Sequence, residues 1–183
     1  MNTPTLHTTA SAPENSVASL QALENNLGFI PNVFAAIAES PNALAGLMAL
    51  NSNFAESSFT GEEQQVIQLA TSSENECGYC MAGHTAFSCQ INMPEDITNA
   101  MRNKETVPNA RLQTLNSLTK ALIRKKGQVT EEDTRDFYAA GFTQAQLIEL
   151  IMGICVKYFT TFVSNAFQLP LDDAFKAYAW EAA

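Results

Sequence analysis

Positive charge is scarce in this chain. Ten Lys and Arg stand against 19 Asp and Glu, for a formal net charge of −9, and the longest basic run is Arg124-Lys125-Lys126. Neutralising phosphates needs clustered cations, so neither nucleic acid nor an anionic membrane surface is an expected partner. Long uninterrupted apolar runs are lacking as well. The most apolar stretch, Leu147 to Phe167, is broken by Glu149 and Lys157 and dotted with Thr and Ser, so it reads as a buried helix and not a membrane span. Met1 to Leu20 has neither a basic start nor a continuous apolar core, so a secretory signal is not expected and the cytoplasm is the expected location. Histidine is nearly absent. His7 falls in residues 1–13, which are rich in Thr, Ser, Ala and Pro and read as a flexible arm; it is expected to be solvated, without a role.

What remains is a core-forming composition, with 46% hydrophobic and 16% charged residues, enough for a single domain over residues 14–183 with surface left for subunit contacts. Helical signals follow one another with little room for strands, so the expected class is all-α. Val17, Leu20, Leu23 and Leu27 recur at helical spacing before Gly28, a plausible stop. Pro31 opens a short segment through Ile37, and Ser40-Pro41 opens another containing Leu44 and Leu47. Thr60-Gly61-Glu62-Glu63 is a capping box for a helix running toward Ser73. Met93-Pro94 starts a helix holding Ile97 and Met101. Residues 109–125 carry Leu112, Leu115, Leu118 and Leu122 on one face, with Gly127 as the stop. Thr130 and Thr143 mark two further helix starts, and Pro170 precedes a last helix expected to end near Trp180. Laying Phe59-Thr60 on Phe142-Thr143 sets Thr160, Val163 and Phe167 opposite Cys77, Cys80 and His84, an echo that suggests two related helical halves.

Two of the four cysteines and the second histidine lie within eight residues, in Cys77-Gly78-Tyr79-Cys80-Met81-Ala82-Gly83-His84. With a helix beginning near Gly78, Cys80 falls in its first turn and His84 lies one turn on, along the same face. Cys77 then sits at the helix mouth, close enough to Cys80 for a disulfide. Unpaired N–H groups and the partial positive charge of a helix start favour a thiolate, and a histidine one turn away can take or pass on its proton. This is the layout of a redox dithiol with its own base. Two other readings of the same residues stay open: a pair of small buried apolar cysteines, and a zinc site. Zinc would find three ligands where structural sites use four. Haem attachment requires His directly after the second cysteine, where Met81 stands. Cys89 and Cys155 read as core packing residues.

The Cys-Gly-Tyr-Cys-x-x-x-His core, with Glu74-Asn75 before it, resembles the alkylhydroperoxidase AhpD-like group of the carboxymuconolactone decarboxylase family. The stretch from Gly28 to Phe34, then Ser40-Pro41 and Leu44, is similar to that family's N-terminal section, and Gly141-Phe142 through Asn165 to its closing helices; the resemblance spans roughly residues 28–175. It implies an all-helical AhpD-like fold with two pseudo-repeated halves, assembled into trimers or hexamers. It implies thiol peroxidase activity without a cofactor or metal, with Cys80 attacking the peroxide, Cys77 resolving it and His84 shuttling the proton. An external dithiol, such as one of lipoyl type, would return the electrons. The family's relay glutamate falls at Gln65, which can hydrogen-bond but cannot take a proton at neutral pH; Glu62 and Glu74 are the alternative relay candidates. Tyr79 and Met81 are expected to line the pocket. A weakened relay leaves two further functions in view, a thiol–disulfide oxidoreductase acting on a non-peroxide substrate and a redox-sensing oligomeric interaction protein. Lactone decarboxylation, which names the wider family, is disfavoured by the paired cysteines.

Overall fold

The computed structural model describes residues 3–181. Among these residues, every regular element is helical: α1 (Glu14–Leu27), α2 (Asn32–Ile37), α3 (Pro41–Ala55), α4 (Gly61–Glu74), α5 (Gly78–Gln90), α6 (Glu95–Arg102), α7 (Ala110–Arg124), α8 (Glu131–Ala139), α9 (Gln144–Phe167) and a C-terminal 3-10 segment (Asp173–Tyr178). The fold is all-α, and the helix starts follow the capping residues. Ser40 accepts from the Ala43 N–H, and Asn109 from that of Leu112. Thr60 with Glu63, Thr130 with Asp133 and Thr143 with Gln146 form reciprocal capping boxes. Each such side chain satisfies N–H groups that the helix itself leaves unpaired, worth about 1 kcal/mol per cap.

Helix α4 is the central element. It packs against α7, α5 and α9, and a continuous run of it from Val66 to Ser73 is buried. Its Glu63 is buried too, but satisfied: it closes the capping box and accepts from Arg111 Nε at 2.7 Å. Arg111 in turn lies over the Phe142 ring, 3.7 Å from the centroid, and Phe142 stacks on Phe137 at 4.5 Å. The start of α4 is thereby fastened to α7, α8 and the turn before α9. Helix α9 crosses α3 and α4 closely at Gly153, where a Cβ would lie 2.5 Å from Phe54 Cε2 of α3 and 3.1 Å from Ile67 Cγ2 of α4. Only glycine admits that approach.

The two echoed segments begin alike, each with a Phe-Thr capping box, but continue differently. The first is interrupted at Asn75–Cys77 between α4 and α5, whereas α9 runs unbroken for 24 residues. That interruption is what creates a helix N-terminus at the cysteines.

Four expectations are corrected. His7 is buried: Nε2 lies 2.8 Å from Glu39 Oε2, Nδ1 lies 3.0 Å from the Ser11 carbonyl, and its backbone N–H donates to Ala35. The polar sequence around it concealed this tether between the segment before α1 and the end of α2; residues 1–2 of the expected arm lie outside the described residues. The last helix is a six-residue 3-10 segment ending at Tyr178, not an α-helix reaching Trp180. Its chain end is held from outside, because Arg102 donates to the Tyr178 and Ala179 carbonyls and Trp180 Nε1 donates to the Arg102 carbonyl. Cys89 and Cys155 are not core residues. Both are exposed, because each falls on the outward face of its helix.

Candidate active site

The α4–α5 break places Cys77 as the N-cap of α5, where its sulfur accepts from the Cys80 N–H at 3.3 Å. Cys80 sits in the first turn. Both thiols are free and buried. Gly78 between them is required by packing, since a Cβ there would meet the Trp180 carbonyl oxygen at 2.8 Å. The clamped C-terminal segment therefore closes over the mouth of the helix.

The two sulfurs are driven apart in acidity. A hydrogen bond from Cys77 to the Cys80 sulfur is the largest influence, and the Lys157 charge and Thr161 hydroxyl add to it; together they outweigh burial and bring the Cys80 thiol down to about 6. Thr161 Oγ1 is 3.4 Å from Cys80 Sγ. Cys77 moves the other way, pushed up because its proton is held in that hydrogen bond and its surroundings are dry. One thiolate and one thiol are thus distinguished before any substrate arrives.

Cys80 opens on a cavity of about 370 Å³. Its wall is mainly apolar and aromatic, including Leu27, Val33, Phe34, Phe87 and Phe175. Gly83 faces it beneath Phe175, whose ring would lie 3.3 Å from a Cβ at that position. Tyr79 also lines the cavity, and its hydroxyl donates to Asp172 Oδ2 at 2.5 Å while accepting from the Val33 N–H at 3.2 Å. Asp172 accepts in addition from the Asn32 N–H. This junction joins the starts of α2 and α5 to the C-terminal segment, and burial with the Asp172 bond pushes the Tyr79 phenol up, so it stays neutral.

His84 lies on the cavity wall, with Nδ1 2.9 Å from Gln65 Oε1. In this orientation of the amide the ring proton is on Nδ1, leaving the Nε2 lone pair free. Burial, reinforced by the Lys157 charge, holds His84 well below the usual imidazole range, so at neutral pH it is an uncharged base.

Lys157 was not anticipated as a site residue. It is 6% exposed, lines the same cavity, and among the described residues no carboxylate forms an ion pair with it. No Asp or Glu is among the residues lining the cavity. Among the described residues lining the cavity, Cys80, whose thiol is acidified, is the group suited to carry a balancing negative charge. Gln68, 4% exposed, lines the cavity as well; its amide donates to the Gly153 carbonyl at 3.1 Å while its Oε1 has no partner. The sequence signal for Lys157 was present, as an isolated lysine within the most apolar helix, but it read as an interruption.

Three expected site residues fall elsewhere. Glu74 pairs with Arg124 through two hydrogen bonds of 2.7 Å, which directs it away from His84. Glu62 makes no side-chain hydrogen bond among the described residues and does not line the cavity. Met81 is fully buried in the main core, because it follows Cys80 by one position and so is turned about 100° away from it around α5. No three His, Cys, Asp or Glu residues among those described are grouped as a metal-ligand set.

No protein-family model and no curated protein matches this sequence. Solved structures do match its fold. A crystal structure of an alkylhydroperoxidase AhpD core, an uncharacterized peroxidase-related protein from Ralstonia eutropha JMP134, superposes with a TM-score of 0.82 at 20% identity, covering 93% of this chain and 92% of that one. An uncharacterized peroxidase-related protein from Silicibacter sp. TM1040 gives 0.81 at 22% identity, with 95% of each chain covered. The debrominase Bmp8, in complex with 2,3,4-tribromopyrrole, gives 0.82 at 18% identity over 97% and 96% of the two chains. Built on a helical frame that these structures share almost end to end, this chain has the AhpD-like fold.

Proposed function

We propose that this chain is a thiol-dependent reductase of organic hydroperoxides, with Cys80 as the attacking thiolate and Cys77 as the resolving thiol. The observation that carries this reading is the geometry: Cys77 caps α5, Cys80 stands in its first turn, and Cys80 shares the wall of an apolar cavity with His84 and the buried Lys157. The Cys80 thiolate attacks the terminal oxygen of R–O–O–H. The O–O bond breaks, sulfur is oxidised to the sulfenic acid, and the departing alkoxide takes a proton to leave as R–OH. Negative charge moves from sulfur to oxygen in that step, and Lys157, on the same cavity wall as Cys80, would stabilise it there. Cys77 then attacks the sulfenic sulfur; its proton and the hydroxyl leave as water, and a disulfide forms. His84, uncharged, accepts the Cys77 proton and returns it to the departing hydroxyl, with Gln65 fixing its ring. An external dithiol, of which a lipoyl-type group is one kind, reduces the disulfide. The reading further proposes a cytoplasmic homo-oligomer of three or six copies.

A second reading rests on the size and lining of the cavity, whose aromatic wall suits a small ring. A halogenated aromatic held there would lose its halogen to the Cys80 sulfur, its carbon taking a proton. Cys77 would then displace halide from the sulfenyl halide, leaving the same disulfide. The overall change is two-electron oxidation of the dithiol in both cases.

Trapping separates the readings. In the Cys77→Ser variant, a dimedone adduct on Cys80 that forms with cumene hydroperoxide is the result expected for the peroxidase. A variant that stays unmodified by peroxide, while wild type releases halide from a bromopyrrole, would favour the second reading.

A further inference from the structure

We propose that discharging Cys80, as closure of the Cys77–Cys80 disulfide does, converts the cavity into a binding site for a small apolar acid, whose carboxylate pairs with Lys157. The inference rests on the dithiol reading, and not on which substrate oxidises the pair.

The cavity holds one fixed cation and one group suited to balance it. Lys157 is 6% exposed, lines the cavity, and is in no ion pair among the described residues. Thr161, one turn further along α9, brings its Oγ1 to 3.4 Å from Cys80 Sγ, so this face of α9 is turned toward the sulfur. The other polar groups on the wall supply no negative charge. His84 is held uncharged by burial, the Tyr79 phenol keeps its proton, and Asn26, Asn51, Ser52 and Gln68 are neutral side chains. Asp172 accepts from the Tyr79 hydroxyl and the Asn32 N–H, and does not line the cavity.

Oxidation removes the balance. Cys77 gives up its proton and the two sulfurs together give up two electrons to the oxidant, a hydroperoxide in the first reading of the function; the disulfide that forms is uncharged. The Lys157 ammonium is then left in dry surroundings without an anion, an unfavourable state that a bound anion relieves.

The rest of the cavity selects which anion. A single ammonium matches a single negative charge, and a phosphate would find no second cation among the lining residues. Phe34, Phe87 and Phe175 present an aromatic surface, and a volume of about 370 Å³ admits a ring bearing one carboxylate. An apolar monocarboxylic acid satisfies both ends. Because it prefers the oxidised protein, such an acid must by linkage favour the disulfide to the same degree, and so slow its reduction by an external dithiol.

Benzoate is the probe and benzamide its uncharged counterpart, titrated calorimetrically at pH 7.5, where reduced Cys80 is thiolate. A Cys89→Ser, Cys155→Ser background confines oxidation to the buried pair. Diamide closes the disulfide, taking the two electrons, the Cys77 proton and one proton from water. Benzoate should bind the oxidised protein about tenfold more tightly than the reduced one. Lys157→Met should remove that difference, and benzamide should show none. Saturating benzoate should move the Cys77–Cys80 midpoint in a dithiothreitol redox buffer by about 30 mV to more negative potential, the two-electron equivalent of tenfold. Cys80→Ser discharges position 80 without a disulfide and should bind benzoate as the oxidised protein does. Should diamide close no bond, the dithiol reading fails, and Cys80→Ser alone decides the acid site. Equal affinity for benzoate in the reduced, oxidised and Cys80→Ser proteins, a preference that survives Lys157→Met, or benzamide binding that matches benzoate would each overturn the proposal.

Discussion

Lys157 and Cys80 come from helices that are distant in sequence and line one cavity, where among the described residues no carboxylate pairs with the lysine and the cysteine is the group able to balance it. The pairing links acidity to reactivity. The Cys77 hydrogen bond, followed by the Lys157 charge, lowers the Cys80 thiol from its ordinary 9.0 to about 6 and makes it mostly thiolate at neutral pH.

The first prediction concerns pH. The anionic form of Cys80 reacts, and its acidity is raised, so alkylation by iodoacetamide should climb as pH passes through about 6 and level off above 7. Lys157→Met removes the cation while keeping a long apolar side chain, and should shift the climb to higher pH, lowering the rate at pH 6 by roughly tenfold. Lys157→Arg should retain much of the effect. A profile unmoved by Lys157→Met would separate the lysine from thiol activation.

Gln65 supplies a second test. It holds His84 Nδ1 at 2.9 Å but accepts no proton. Gln65→Glu places a carboxylate beside the imidazole, which raises the affinity of His84 for a proton and completes a relay, so hydroperoxide turnover should rise by about tenfold. Gln65→Leu leaves the ring unoriented and should lower turnover by a similar factor. Steady-state rates across pH 6–8 with a fixed dithiol check both.

The cavity wall depends on Tyr79. Its hydroxyl serves Asp172 and the Val33 N–H together, so Tyr79→Phe leaves a buried carboxylate and a backbone donor each short of a partner. A loss of about 1–3 kcal/mol in urea unfolding is expected, together with weaker protection of the Asn32 and Val33 amides in hydrogen exchange.

At Gly153 the prediction is steric. Gly153→Ala puts a methyl 2.5 Å from Phe54 Cε2 and 3.1 Å from Ile67 Cγ2, an overpacking expected to destabilise by about 1–3 kcal/mol. Phe54→Leu vacates that space, so the double variant should be more stable than the two single losses added together, as equilibrium unfolding will report.

Much of the site was legible because it is local. Cysteine spacing with a helix start at Gly78 put Cys80 and His84 on one face and Cys77 at the cap; Gln65, on another helix, came into view only through the family resemblance, and it contacts His84. Capping residues likewise marked the helix starts. What could not be read was which way a helix turns once packed. Lys157 and Cys155 stand two positions apart in the same apolar helix, yet one faces the cavity and the other solvent. The average apolarity of α9 concealed both, because it arises from a core face and a separate outward stripe. Met81 was misplaced for a related reason: adjacency to Cys80 along a helix means divergence in direction. Asp172 acquires its role only when the C-terminal segment folds back over α5.

The most direct test of the account is hydroperoxide consumption by wild type, Cys80→Ser and Cys77→Ser with excess dithiol. The account predicts steady turnover in wild type and none in Cys80→Ser. Cys77→Ser should consume about one equivalent and stop at a Cys80 sulfenic acid. Absence of consumption by wild type, despite reversible formation of a Cys77–Cys80 disulfide, would contradict it and point to a disulfide substrate or a redox-sensing role.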